Sequence, residues 1–200
     1  MELHVPTRTF AAYIFDCDGT LADTMPLHYR AWKRMVEEEG GQFPAELFYS
    51  LGGVPTHLII EHLNTAQSLR IDVPTAAHRK EEYFVELIAE VRAIEPVLAI
   101  ARRVHGSVPM AVCSGGYRRY VERTLEAIGI EGIFDAIVCA EDCARGKPHP
   151  DPFVEAARRL GVPPGDCLAF EDSPAGVESA RAAGMECVFV PSAPLSATSV

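Results

Sequence analysis

Hydrophobic positions along the 200-residue chain fall into two kinds of pattern. Five short runs are almost continuously apolar: AAYIF (11–15), PMAVC (109–113), AIVCA (136–140), CLAF (167–170) and ECVFV (186–190). The later runs alternate with stretches of helical period: YVERTLEAIGI follows the second, PFVEAARRLGV the third and AGVESARAAGM the fourth. Apolar strands separated by amphipathic helices predict a parallel sheet covered on both faces, a doubly wound α/β domain.

Between the first two runs the rhythm changes. No strand pattern is found from about residue 25 to residue 94. Leu27, Ala31 and Met35 share one helical stripe, with Trp32 and Val36 beside it; HLIIEHLNTAQSL and KEEYFVELIAEVRAI predict two further helices. The expected organisation is an α/β core built from residues 1–21 and 95–200, with an all-helical cap, 22–94, inserted after the first strand. Pro96 is expected to open the helix that returns to the core. The C-terminal PSAPLSATSV predicts a mobile polar tail.

Composition narrows the partners. The net charge of -10 makes the chain a poor match for a nucleic-acid backbone or an anionic membrane. No apolar run approaches the roughly 20 residues of a membrane-spanning helix. The N-terminal MELHVPTRTF has no apolar core of signal-peptide length, which predicts a cytoplasmic protein. The six cysteines include no C-x-x-C pair, and all but Cys143 lie in or beside apolar runs. They read as reduced, mostly buried thiols.

Polar residues at the ends of the apolar runs carry the chemistry. Asp16 and Asp18 follow the first run, Ser114-Gly115-Gly116 the second, Gly146-Lys147-Pro148 comes after the third, and Glu171-Asp172-Ser173-Pro174 ends the fourth. A parallel sheet brings all of these to one edge, where doubly wound folds bind ligands. Four carboxylates gathered there need a cation, and an all-oxygen donor set predicts a hard ion, Mg²⁺. One carboxylate can then act as a nucleophile, and a second can protonate a leaving oxygen. Lys147 and the Ser114 hydroxyl suit a transferring phosphoryl group, and Gly115-Gly116 are expected to open the next helix as an anion site.

Simpler readings exist for each motif alone. Ser114 suits a helix cap, Lys147 a solvated surface, and Ser173-Pro174 a helix start. A calcium loop does not fit: counted from Asp16, it needs glycine sixth and glutamate twelfth, where the sequence has Leu21 and Leu27. The weight rests on all four motifs arriving in order, each after a strand.

In these motifs the chain resembles the haloacid dehalogenase superfamily: DCDGT at 16–20, Ser114, Lys147 and Glu171-Asp172. The resemblance implies Asp16 as nucleophile and Asp18 as general acid and base. It implies Mg²⁺ on Asp16, the Asp18 carbonyl and Asp172, with Glu171 behind them. Phosphate would be held by Ser114, Gly115 and Lys147. Within the superfamily, His28-Tyr29-Arg30-Ala31-Trp32, GKPHPDPF and FEDSPAGVESARAAGM are similar to the β-phosphoglucomutase-like branch. A mutase of that branch holds a second phosphate with a cap arginine, where this chain has Thr56, and carries a lysine after the motif-two serine, where it has Gly115, Gly116 and Tyr117. These departures favour a phosphatase of small sugar phosphates, of the fructose-1-phosphate type, over a hexose-phosphate mutase. The intact acids and lysine count against a non-catalytic binding protein. His28, Thr56 and His57 are candidate substrate contacts in the cap. The expected partner is a small phosphorylated metabolite, and the expected state is a monomer.

Overall fold

The computed structural model describes residues 3–52 and 54–191. Gly53 and, beyond Pro191, the expected polar tail lie outside the described residues. The chain divides into two compact units: residues 1–23 with 91–200, and residues 24–90.

The first unit is built on a five-stranded parallel sheet in the order β3-β2-β1-β4-β5: β1 Ala12–Phe15, β2 Met110–Cys113, β3 Ala136–Val138, β4 Cys167–Glu171 and β5 Glu186–Phe189. The chain moves outward from β1 to β2 and β3, then returns to the other side of β1 for β4 and β5. Strand order therefore reverses beside β1. Within that strand the period of two decides the packing. Ala12 and Ile14 join one apolar layer with Phe153, Ala156 and Ala157, while Phe15 joins the other with Val97, Leu98, Val121 and Leu125. Phe15 pairs in register with Phe170, and their rings stack at 4.8 Å. Four helices supply the covering layers: α5 Glu95–Val104, α6 Arg118–Ala127, α7 Asp151–Leu160 and α8 Pro174–Ala182. Pro96 stands in the first turn of α5, and Ser173 caps α8 by accepting from the Gly176 N–H at 3.1 Å.

Two expectations about this unit are corrected. The third apolar run is a strand only over Ala136–Val138; Ala140–Asp142 turns as a 3₁₀ helix, held by the Asp142 carboxylate accepting from Cys139 N–H at 2.7 Å. Gly115 and Gly116 do not open α6, which begins at Arg118 with Tyr117 as its N-cap residue. The Gly116 N–H is instead taken by Ser114 Oγ at 3.0 Å.

The second unit is all helical: α1 Met25–Glu38, α2 Ala45–Ser50, α3 Thr56–Gln67 and α4 Val73–Leu87. Its core holds Trp32, Met35, Val36, Phe43, Phe48, Ile60 and Leu63. The short α2 carries too few residues to show a period. The third predicted cap helix starts seven residues before Lys80, at Val73. Asp72 accepts from the Thr75 N–H at 3.1 Å, and Pro74 fits the first turn. Among the described residues no helix is long and apolar enough to cross a membrane.

Candidate active site

The backbone after β1 doubles back at once. Thr20, Leu21 and Ala22 N–H groups all point to the Cys17 carbonyl, and Gly19 N–H donates to the Ala22 carbonyl at 2.8 Å. Gly19 has φ +85°, and a Cβ there would overlap the Asp172 carboxylate. Glycine is required on both counts. This turn fixes Asp16 and Asp18 at the carboxyl edge of the sheet, beside the point of strand reversal.

Lys147, from the connection between β3 and β4, reaches the same edge. Its Nζ donates to Asp16 Oδ1 at 2.8 Å, to the Cys113 carbonyl at 2.9 Å and to Glu171 Oε1. The second Glu171 oxygen accepts from the Ser173 N–H and hydroxyl at 2.8 and 2.9 Å. Ser114, buried at the end of β2, makes a long 3.5 Å contact from Oγ to Asp18 Oδ2. The sheet edge thus brings together Asp16, Asp18, Ser114, Lys147, Glu171 and Asp172. Gly115 follows Ser114, and a Cβ added there would meet nothing within 4 Å.

The electrostatics are unbalanced. Four carboxylates face one ammonium. Burial pushes the Asp16 carboxyl well up; Lys147 opposes this, and the charges of Glu171, Asp172 and Asp18 add to it. Asp172 is pushed up to about 7, first by burial and then by Glu171. Burial works against the Lys147 ammonium, but Asp16 and Glu171 outweigh it and keep the side chain charged. Asp16 Oδ2 is buried and has no hydrogen-bond partner among the described residues. One oxygen each from Asp16, Glu171 and Asp172 lie within 4.8 Å of one another. Surplus negative charge on an all-oxygen donor set fits a hard divalent cation.

The cap candidates lie in the helical unit. The His28 ring stacks on Phe84 at 4.0 Å, and its Nδ1 is 3.1 Å from Lys80 Nζ. Thr56 is the first residue of α3, and His57 beside it is exposed. Lys80 was not singled out from sequence. It is only 5% exposed and also pairs with Glu81 at 2.8 Å. Its place at the i+4 step between the buried Ala76 and Phe84 is the signal that could have marked it.

Comparison with known proteins agrees with this arrangement. A haloacid dehalogenase-like hydrolase family model matches residues 10–184. The fructose-1-phosphate phosphatase YqaB of Escherichia coli (strain K12) is 35% identical over 181 residues, 90% of this chain and 96% of that protein. The phosphorylated carbohydrates phosphatase of Thermotoga maritima is 30% identical over 182 residues, covering 89% of this chain and 83% of its own length. The β-phosphoglucomutase of Bacillus subtilis (strain 168) is 30% identical over 188 residues, covering 90% and 82%. In three dimensions the chain is similar to CbbY from Rhodobacter sphaeroides, solved in complex with phosphate. The TM-score is 0.81 at 28% identity, over 90% of this chain and 85% of that one. A parallel sheet carrying Asp16, Ser114, Lys147 and Asp172 on one edge, matched over nearly its whole length by these relatives, belongs to a member of the haloacid dehalogenase-like hydrolase family.

Proposed function

We propose that the protein is a Mg²⁺-dependent phosphatase of small sugar phosphates that works through a phosphoaspartate. The observation that carries this reading is the division of labour on Asp16: Oδ1 is held by Lys147, and Oδ2 is buried without a partner among the described residues. A carboxylate fixed by one oxygen presents the other as a nucleophile. Relatives named as phosphatases of fructose 1-phosphate and of phosphorylated carbohydrates support the substrate class.

Asp16 Oδ2 attacks phosphorus, and the P–O bond to the sugar breaks. Asp18 gives its proton to the departing sugar oxygen. The resulting Asp18 carboxylate then takes a proton from water as that water's oxygen attacks the phosphoaspartate. Inorganic phosphate leaves and Asp16 is restored. Lys147 and Ser114 offset charge on the phosphoryl oxygens. Asp16, the Asp18 carbonyl and Asp172 would hold Mg²⁺, which when bound neutralises the excess carboxylate charge and polarises the phosphoryl group. Glu171 has both oxygens engaged by Lys147 and Ser173, which suits support from behind the ligands. Discrimination among sugars falls to residues outside this cluster, with His28, Thr56 and His57 as candidates.

The mutase reading is not favoured: Thr56 and the Gly115-Gly116 pair offer no cation for a second phosphate. The test is phosphate release across a panel of sugar phosphates with Mg²⁺. One arm supplies β-glucose 1-phosphate with a trace of the 1,6-bisphosphate. Release of phosphate to water supports the proposal. Formation of glucose 6-phosphate faster than phosphate release overturns it.

A further inference from the structure

Strand β3 lies at one edge of the sheet, and two arginines close its open side. The Val138 carbonyl points into the sheet, where it accepts from Ser114 N–H at 2.9 Å. The Ile137 carbonyl, one residue earlier, accepts from Arg118 at 3.0 Å and from Arg159 at 2.8 Å. Both guanidiniums also meet one carboxylate, Asp142, whose Oδ2 is 2.6 Å from Arg118 and whose Oδ1 is 2.8 Å from Arg159. Arg118 is the first residue of α6, and Arg159 stands in the last turn of α7. Asp142 therefore joins the start of one helix to the end of another across the end of β3. The same carboxylate takes the Cys139 N–H and so holds the turn 140–142. That turn is tied to the loop after β2: the Gly116 carbonyl accepts from Ala140 N–H at 3.0 Å, and Glu141 accepts from Arg118 N–H at 3.0 Å. Ser114 leads into this loop, and the chain that leaves the turn on its other side carries Lys147. Without the carboxylate, two guanidiniums that share one carbonyl would face each other with no anion between them, and the Cys139 N–H would lose its acceptor.

We propose that Asp142 is a positioning residue for phosphoryl transfer: through Arg118, Arg159 and the turn 140–142 it fixes the spacing between Ser114 and Lys147, the two groups that receive the phosphoryl oxygens. It acts through these loops and not on the substrate. The proposal rests on the phosphatase reading above.

The experiment compares the full-length protein with Asp142→Ala, Asp142→Asn and a control, Arg8→Ala. The control removes an exposed ion pair to Glu186, on the strand at the opposite edge of the sheet. Three quantities are read well below each melting temperature: kcat and KM for p-nitrophenyl phosphate with Mg²⁺, inhibition by orthovanadate, and the Mg²⁺ concentration that gives half of the thermal shift. Asp142→Ala is expected to lower kcat about 10- to 100-fold, the effect of a shift of about 1 Å in a positioning group. Orthovanadate, which imitates the five-coordinate phosphorus, should bind about tenfold more weakly. The Mg²⁺ response should stay within about twofold, because Asp16 and Asp172 are untouched. Asp142→Asn keeps an acceptor for the Cys139 N–H, so it covers the case in which the alanine variant does not fold; its kcat should fall about three- to tenfold. Arg8→Ala should keep native kinetics. A lower melting temperature with native kcat and native vanadate inhibition overturns the positioning role. So does a loss of Mg²⁺ response as large as the loss of vanadate binding, or an equal fall in kcat in Arg8→Ala. Absence of Mg²⁺-dependent phosphate release from the native protein instead overturns the phosphatase reading, and the positioning role falls with it.

Discussion

Lys147 and Asp16 are 131 residues apart in sequence and 2.8 Å apart in space, and the lysine takes only one of the two aspartate oxygens. Its remaining donors go to Glu171 and to the Cys113 carbonyl, so it also ties the ends of β2 and β4 to Asp16. Replacing Asp16 with Asn removes the attacking oxygen and keeps the shape. Turnover should fall about a thousandfold or more. Thermal stability should hold or rise, because a buried carboxylate under repulsion has become neutral. Circular dichroism melts and phosphate release check both parts; substantial residual turnover would remove Asp16 as nucleophile.

Asp18→Asn tests the proposed acid apart from the proposed nucleophile. Loss of the proton donor should slow alkyl phosphates by about 10²–10⁴-fold. An aryl phosphate such as p-nitrophenyl phosphate leaves without much protonation and should lose less than about tenfold. Equal losses on the two substrates would end the acid role.

The surplus of carboxylates makes metal binding visible without turnover. Mg²⁺ should raise the unfolding temperature of the protein by several degrees at a concentration of about 100 Kd, equivalent to about 2.7 kcal/mol. Chelator should reverse the shift and silence phosphate release. Asp172→Asn should weaken the thermal response to Mg²⁺ at least about tenfold in concentration. A melting temperature indifferent to Mg²⁺ in the native protein would count against the site.

Gly176 packs against Glu171, and a Cβ there would overlap that carboxylate. Gly176→Ala must therefore push Glu171 off Lys147. The expected cost is about 1–3 kcal/mol, with a fall in activity as Lys147 loses its second anchor. Gly146→Ala, which meets nothing within 4 Å, is the control and should melt like the native protein. Denaturant unfolding of the two variants gives the comparison.

Burial pushes the thiols up, Cys113, Cys139 and Cys187 to about 12 and Cys167 to about 11. Unfolded thiols ionise near about 8.5. The folded state therefore binds more protons at alkaline pH. The stability this contributes is fully present below the unfolded value and is lost as pH rises towards the folded ones. The melting temperature should decline from about pH 8.5 upward. At pH 8, alkylation by iodoacetamide should be slow in the folded protein, with the half-buried Cys143 ahead of buried Cys139 and Cys167. Mass spectrometry of timed samples would show the order, and rapid labelling of Cys139 would contradict it.

Much of this protein is local in origin, and so it is legible in the sequence. The five apolar runs and the helical stripes depend on the two- and 3.6-residue periods of side chains along one segment. They place the parallel sheet, the helical insertion and the strand ends that carry Asp16, Ser114 and Glu171. Caps are legible for the same reason, as Ser173 and Pro96 show. What the tertiary structure decided is pairing across the fold. No local pattern says that one lysine after β3 meets Asp16 after β1 and Glu171 at the end of β4. The start of α6 at Arg118 was set by Ser114 Oγ taking the Gly116 N–H and by Glu141 accepting from Arg118 N–H. Lys80 is buried between its neighbour Glu81, which supplies the countercharge, and His28, which is 52 residues away and closes the other side. A charged group is buried only where partners from elsewhere in the chain meet it, and the folded backbone alone fixes which partners those are.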